Sequence, residues 1–200
     1  MMYLASASPR RKALLQQIGV QFEVFPVSVD ETPLSRESAL DYVQRLARLK
    51  AVTGRDRIDS LKLSPAPVLG SDTIGVLGDQ ILVKPADKTE AISMLMAMAG
   101  RSHQVITAVA LATGSEVFEV YASTDVYFRA ISEQEASDYW DTGEPQDKAG
   151  GYGIQGLGAV FVERIVGSYS AVVGLPLFET AQLIKQANLS LWQLPGKLTE

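Results

Sequence analysis

The sequence predicts a mixed α/β domain. The chain has 200 residues, 46% of them hydrophobic, which is enough to build one domain with a substantial core. Segments with the alternating or β-branched apolar residues of strands are interspersed with segments whose apolar residues recur at the helical period. Glycine and proline mark the ends of most of these segments. We therefore expect a single domain over residues 1–188, followed by a loose tail over residues 189–200.

Charge and composition exclude several classes of protein. The formal net charge is −5, which argues against nucleic-acid binding, since that usually requires a basic face. There is no cysteine and a single histidine, His103, so disulfides, thiol catalysis and a histidine metal cluster are all excluded. No apolar run approaches membrane-spanning length and no signal peptide is evident. We expect a cytoplasmic protein without a membrane partner.

The first segment combines a helix start with positive charge. A short apolar strand at Met2–Leu4 leads to Ser8-Pro9, a typical helix start in which serine caps and proline occupies the first turn. Gly19 predicts the helix end. The cations 10–12 lie in the first turn, where the helix dipole favours anions. Two interpretations stay open at this point: a solvated basic turn, or a helix N-terminus that binds phosphate.

A second strand and a long helix are predicted next. Residues 20–25 alternate like a half-buried strand, and the acidic pair Asp30-Glu31 follows before a proline. From Ser38 an apolar helical stripe runs toward Gly54, which predicts the helix end; residues 55–67 then form a polar connection. Lys50 continues the buried stripe, either as a snorkelling lysine near the helix C-terminus or as a lysine that reaches into a cleft. The second interpretation predicts that Lys50→Met preserves thermal stability and impairs turnover.

Asp72 is the charge in this chain that burial explains least. It lies within the strand-like stretch 68–77, with apolar residues on both sides. Aspartate is unfavourable in a strand interior and is rarely buried without partners. Such a carboxylate is either hydrogen-bonded for structure or held for metal or proton chemistry, and we favour the second interpretation.

The remaining elements follow from local signals. Gly78-Asp79 predicts a hairpin turn, Lys84 comes where its second strand ends, and Asp87 opens a helix with a capping-box pattern. The other predicted elements are strands at 104–111, 117–128 and 160–165, and helices at 132–140 and 178–187.

A glycine-rich stretch at 150–158 matches G-x-G-x-x-G through Gly151, Gly153 and Gly156. A dinucleotide-binding fingerprint requires a strand before it and a helix after it, whereas here a polar loop precedes and a strand follows. We reject that match. We interpret the stretch as a loop whose glycines let a ligand ring lie near the backbone, with Gln155 offering both a donor and an acceptor.

Cations and carboxylates at element ends suit phosphoryl chemistry on a small anionic substrate. Four motifs of the chain are informative together: Ser6-Ala7-Ser8-Pro9-Arg10-Arg11, Gly70-Ser71-Asp72-Thr73-Ile74, Lys84-Pro85 and the stretch from Asp147-Lys148-Ala149-Gly150 to Gly156. In this order, from Leu4 to about Ala187, the sequence resembles the Maf family of nucleoside triphosphate pyrophosphatases.

The resemblance implies a fold and an activity. The implied fold is a Maf/ITPase-like mixed sheet bent around a central cleft, with flanking helices, in a chain that forms a homodimer. The implied reaction cleaves a nucleoside triphosphate between the α- and β-phosphates with a divalent cation, Mg²⁺ or Mn²⁺. By family analogy, Asp72 matches the proton acceptor and Glu31 an acidic residue near the catalytic centre, either of which could bind the metal. The positions that match phosphate-binding residues are Ser8, Arg11, Lys50 and Lys84.

Three positions separate two branches of this family. The branch that prefers 7-methyl-GTP carries tryptophan, glutamine and glutamate where this chain has Arg10, Thr73 and Gln155. This chain carries the set of the pyrimidine branch, which implies a house-cleaning enzyme acting on dTTP, UTP or modified pyrimidine nucleotides. The alternative is a nucleotide-binding regulator of septum formation with little turnover. Such a binder does not need an ionised carboxylate at Asp72 beside the phosphates.

Overall fold

The computed structural model describes the backbone of residues 1–193 and their side chains, apart from that of Asp147. The described residues form seven strands: β1 (Met2–Leu4), β2 (Phe22–Val24), β3 (Val68–Leu77), β4 (Gln80–Leu82), β5 (Ser102–Ala112), β6 (Val117–Phe128) and β7 (Val162–Val166). They also form six α-helices: α1 (Pro9–Gln17), α2 (Ala39–Ser60), α3 (Lys88–Met98), α4 (Glu133–Asp141), α5 (Tyr169–Val173) and α6 (Leu177–Gln186). Short 3₁₀ helices cover Glu144–Asp147, Ala149–Gly151 and Leu157–Phe161.

The seven strands form one mixed sheet in the order β2-β1-β3-β5-β6-β7, with β4 paired to β3. Strand β1 runs parallel to both β2 and β3, whereas β4 is antiparallel to β3 and β7 is antiparallel to β6. This confirms the predicted fold class, a mixed α/β sheet flanked by helices.

The chain divides into two compact units. The first unit contains Met1–Asp72, Thr107–Ala122 and the described residues from Gly174 onward; the second contains Thr73–Ile106 and Ser123–Val173. The single domain expected over residues 1–188, and the cleft implied by the resemblance, stay predictions.

Helix α2 packs very closely on β3 in the first unit. A Cβ on Gly70 would lie 2.5 Å from the backbone nitrogen of Ala51, and a Cβ on Gly54 would lie 2.7 Å from Cγ1 of Val68. Gly54 therefore serves helix–strand packing and not termination. The prediction that the helix ends at Gly54 is wrong, because α2 continues to Ser60 and the connection to β3 begins only after it.

Helix α1 begins and ends as predicted. Ser8 caps it by accepting a hydrogen bond from the backbone N–H of Arg11, and Gly19 beyond its end has φ +63°. The backbone N–H groups of Trp192 and Gln193 donate to the carbonyls of Ile18 and Gly19 at 3.0 and 2.6 Å. The rest of the predicted loose tail, residues 194–200, lies outside the described residues.

The second unit has its own core. It is an aromatic and aliphatic cluster in which Phe128 packs edge-on against His103 and Tyr152.

The β3–β4 hairpin turns at Gly78, with φ +60°, as predicted. Residues 160 and 161, predicted to begin a strand, belong instead to a 3₁₀ helix that precedes β7. Among residues 1–193, no helix combines the length and apolar character needed to cross a bilayer.

Candidate active site

An ion-paired cluster in the first unit joins three of the residues that the sequence analysis selected. The ammonium nitrogen of Lys50 lies 2.6 Å from Oδ1 of Asp72 and 2.7 Å from Oε1 of Glu31. The side chains of Lys50 and Asp72 are each only 12% exposed, whereas that of Glu31 is 56% exposed. One face of the cluster is therefore buried, while its Glu31 side is open to water.

The close packing of α2 on β3 produces this arrangement. Gly70 and Asp72 are two residues apart on β3, so they project to the same face of the strand. Gly70 contacts the backbone of α2 at Ala51, which directly follows Lys50. Lys50 lies ten residues before the end of α2, so the interpretation of a lysine snorkelling at the helix C-terminus is wrong. Its ammonium faces the carboxylate of a neighbouring strand.

Two residues that the sequence analysis missed position the loop that carries Glu31. The hydroxyl of Tyr42 donates to the backbone carbonyl of Glu31 at 2.9 Å, and Arg45 donates to the carbonyl of Thr32 at 3.1 Å. Arg45 also binds Glu37 through two nitrogens, at 2.6 and 2.8 Å, which lowers the pKa of that carboxyl to about 2. Spacing gave a signal for Tyr42, since it precedes Lys50 by eight residues and so lies on the same helix face.

The start of α1 is also ordered by internal contacts. Nε of Arg11 donates to the carbonyl of Gly174 at 2.9 Å, and Nη1 donates to Oγ of Ser6 at 3.4 Å. Ser71, the neighbour of Asp72, donates to the same carbonyl of Gly174 at 3.2 Å. Burial lowers the pKa of Arg11, and the nearby charge of Asp72 acts in the opposite direction. The guanidinium of Arg11 is thus close enough to Asp72 for their charges to interact. Arg10 is half-buried in the same helical turn.

The second unit carries the other three selected residues. Thr73 is half-buried on β3, whereas Lys84, just after β4, and Gln155, in the glycine-rich loop, are exposed. The backbone N–H of Gly150 donates to the carbonyl of Val83 at 3.0 Å. This bond attaches the glycine-rich loop to the chain directly before Lys84. The loop lies between 3₁₀ helices and leads into β7, which agrees with the rejection of a dinucleotide fingerprint.

The carboxylates of Glu31 and Asp72 are the candidate ligands for a divalent cation. No group of three or more histidine, aspartate or glutamate residues among those described could hold a metal ion. Magnesium, however, is commonly bound through one or two carboxylates together with substrate phosphates and water. Lys50 contacts one oxygen each of Glu31 and Asp72, so both carboxylates keep a second oxygen for a ligand. The pair fits a cation that arrives with its substrate.

Comparison with known proteins gives a consistent result. The family model described as Maf-like protein matches residues 1–187. A dTTP/UTP pyrophosphatase of Pseudoalteromonas translucida is 54% identical over 183 residues, covering 92% of this chain and 95% of the relative. A protein of the same name from Saccharophagus degradans is 53% identical and covers 96% of this chain and 91% of the relative. A third protein of this name, from Alcanivorax borkumensis, is 52% identical and covers 96% of this chain and 98% of the relative.

Proposed function

Because the chain belongs to the Maf family, we propose that it is a nucleoside triphosphate pyrophosphatase that converts dTTP and UTP to the monophosphate and pyrophosphate. The observation that carries this proposal is the cluster of Glu31, Lys50 and Asp72, in which a buried carboxylate lies beside a cation and an exposed carboxylate. Phosphoryl transfer uses cations to stabilise the phosphate oxygens and carboxylates to bind a metal ion or accept a proton. The names of several relatives at 51–54% identity support the same activity and substrates.

In the proposed reaction, Asp72 accepts a proton from the attacking water. It can do so only as a carboxylate, which is the form that pairs with the ammonium of Lys50 at 2.6 Å. That contact fixes one oxygen of the carboxylate, so the other can face a water molecule. Hydrolysis then breaks the anhydride bond between the α- and β-phosphates, and pyrophosphate leaves.

A divalent cation, Mg²⁺ or Mn²⁺, belongs to the proposal. Glu31 and Asp72 would hold it, and it would neutralise negative charge on the phosphate oxygens. Lys50 keeps the two carboxylates close together although they repel each other. The exposed position of Glu31 allows it to bind a cation that enters together with a nucleotide.

Contacts to the triphosphate and the base are assigned by the family resemblance, and residue type and placement support them. Ser8 and Arg11 lie at the N-terminus of α1, where backbone N–H groups favour an anion. Lys50 and the exposed Lys84 supply further positive charge. The proposed base-selecting residues are Arg10, Thr73 and Gln155. The glutamine amide can donate to a carbonyl and accept from a ring N–H, the two groups on the pairing edge of uracil and thymine.

We also propose a cytoplasmic homodimer, on the strength of the family resemblance. Sedimentation at several protein concentrations tests the dimer. A single species with the mass of one chain at all concentrations would contradict it.

The test of the proposed function is release of pyrophosphate from dTTP, UTP, CTP, ATP, GTP and 7-methyl-GTP, with Mg²⁺ or Mn²⁺ and with EDTA. We expect the highest kcat/KM for dTTP and UTP and no turnover with EDTA. Tight nucleotide binding without release of pyrophosphate would favour the regulator of septum formation instead. A preference for any purine nucleotide would contradict the assignment of the base-selecting residues.

A further inference from the structure

The glycine-rich loop of the second unit is built around the side chain of Glu144. Oε1 of Glu144 accepts hydrogen bonds from the hydroxyl of Tyr139 at 2.6 Å and from the backbone N–H of Gly158 at 2.9 Å. Oε2 accepts from the backbone N–H of Leu157 at 2.8 Å. A single carboxylate thus fixes the C-terminal side of the loop to the segment that follows α4.

The N-terminal side of the loop is fixed by the same pair of side chains. The hydroxyl of Tyr139, which donates to Glu144, accepts a hydrogen bond from the backbone N–H of Gly153 at 3.0 Å. Gln155 lies between these attachment points. Its side chain is exposed, but the backbone on both sides of it is held by Tyr139 and Glu144.

The glycines of the loop make room for this carboxylate. A Cβ on Gly156 would collide with the carboxylate of Glu144, and a Cβ on Gly153 would lie 2.9 Å from its Oε1. The spacing of Gly153 and Gly156 therefore has a structural cause inside the protein. The sequence alone suggests instead that these glycines make room for a ligand ring.

Glu144 takes part in these bonds as a carboxylate. Burial alone would raise its pKa, but the hydrogen bonds from Tyr139, Gly158 and Leu157 outweigh that effect, and the pKa lies below its usual value. A carboxylate can accept all three hydrogen bonds. An amide of the same shape has only one accepting oxygen and would place its NH₂ group against a donor.

We propose that Glu144 and Tyr139 are positioning residues that hold Gln155 in place to read the base, and so determine nucleotide specificity without touching the substrate. This inference rests on the proposed function. Discrimination by hydrogen bonds requires that the reading group be held in a fixed geometry. UTP and CTP form a sharp test pair, because they have nearly the same size and opposite donors and acceptors on the edge that Gln155 would contact.

The experiment measures kcat/KM for UTP and CTP in the wild type, Glu144→Gln and Tyr139→Phe. We expect the UTP/CTP ratio to fall about tenfold or more in Glu144→Gln and less in Tyr139→Phe. Glu144→Gln disturbs all three hydrogen bonds to the carboxylate, whereas Tyr139→Phe leaves those from Gly158 and Leu157 in place. The matched controls are Glu133→Gln, an exposed carboxylate on α4, and Tyr127→Phe on β6. Both controls should keep the wild-type ratio.

A double variant separates positioning from a general structural role. If Glu144 acts through Gln155, adding Glu144→Gln to Gln155→Ala should not lower the UTP/CTP ratio further. An additive further loss, or an equal loss of kcat/KM for both nucleotides in Glu144→Gln and in the milder Tyr139→Phe, would overturn the inference. A wild type that does not discriminate UTP from CTP would instead contradict the proposed function, so the two failures are distinguishable.

Discussion

Replacing Lys50 by methionine tests whether the cluster is a coupled unit. Lys50 and Asp72 have side chains that are each 12% exposed and are joined at 2.6 Å. Removing one partner of a buried ion pair leaves an uncompensated charge and typically costs about 3–5 kcal/mol. Methionine fills most of the volume of the lysine stem, so little of this cost comes from a cavity. The exposed partner Glu31 adds at most about 1 kcal/mol.

We therefore expect Lys50→Met to lower the free energy of unfolding by about 3 kcal/mol. With an m-value of about 2 kcal/mol/M in urea, the unfolding midpoint falls by about 1.5 M. The control is Lys88→Met, because Lys88 pairs with Asp141 at 2.7 Å but with side chains that are 40% and 62% exposed. Its loss should cost less than about 1 kcal/mol.

The double variant Lys50→Met/Asp72→Asn completes this test. Removing the buried carboxylate as well relieves the unpaired charge, so the double variant should be more stable than Lys50→Met alone, with a coupling of about 2 kcal/mol. A Lys50→Met protein within about 0.5 kcal/mol of the wild type, or a strictly additive double variant, would refute the reasoning.

Three further predictions concern base selection, pH and packing. Gln155→Glu should lower the ratio of kcat/KM for UTP over 7-methyl-GTP while the melting temperature stays close to that of the wild type; an unchanged ratio would show that this residue does not read the base. Burial lowers the pKa of His103 to about 4, so between pH 6.5 and 5 the unfolded chain binds a proton that the folded chain does not. The free energy of unfolding should then fall by about 2 kcal/mol as the pH falls over that range. If urea unfolding gave the same pH dependence of this free energy for the wild type and for His103→Gln, the prediction would be contradicted. Gly70→Ala should destabilise by about 2 kcal/mol or more in urea unfolding, because backbone atoms of α2 meet the new methyl group; an unchanged midpoint would mean that α2 can move away from β3.

Local signals in the sequence predicted the elements that depend on local chemistry. The cap at Ser8, the hairpin turn at Gly78 and the helix start at Asp87 all occur where they were expected. The prediction of a helix end at Gly54 is wrong because that glycine makes room for Val68, a residue of another element. The same residue type terminates a helix at Gly19 and permits close packing at Gly54, and only the tertiary structure distinguishes the two.

The candidate site shows the same boundary between local and long-range information. Asp72 is recognisable from the sequence because a charge in an apolar strand needs a partner. Its pairing with Lys50, however, joins residues 22 positions apart and does not follow from spacing. The ion pair also changes the expectation for Lys50→Met: the sequence alone predicts unchanged stability, whereas the buried pair predicts a loss of stability. The role of Glu144 could not be predicted from the sequence, because its carboxylate binds backbone N–H groups of a loop that it contacts only in the folded chain.

The most direct test of the central claim is the rate of pyrophosphate release from dTTP and UTP by Asp72→Asn, compared with the wild type. Asp79→Asn is the matched control, because Asp79 is an exposed aspartate in the turn just after β3. The substitution at Asp72 keeps the shape of the side chain and removes its ability to accept a proton. We predict a fall in kcat of about 10²–10⁴-fold for Asp72→Asn and a wild-type rate for Asp79→Asn. Near-normal turnover by a folded Asp72→Asn protein would contradict the claim that Asp72 is the proton acceptor.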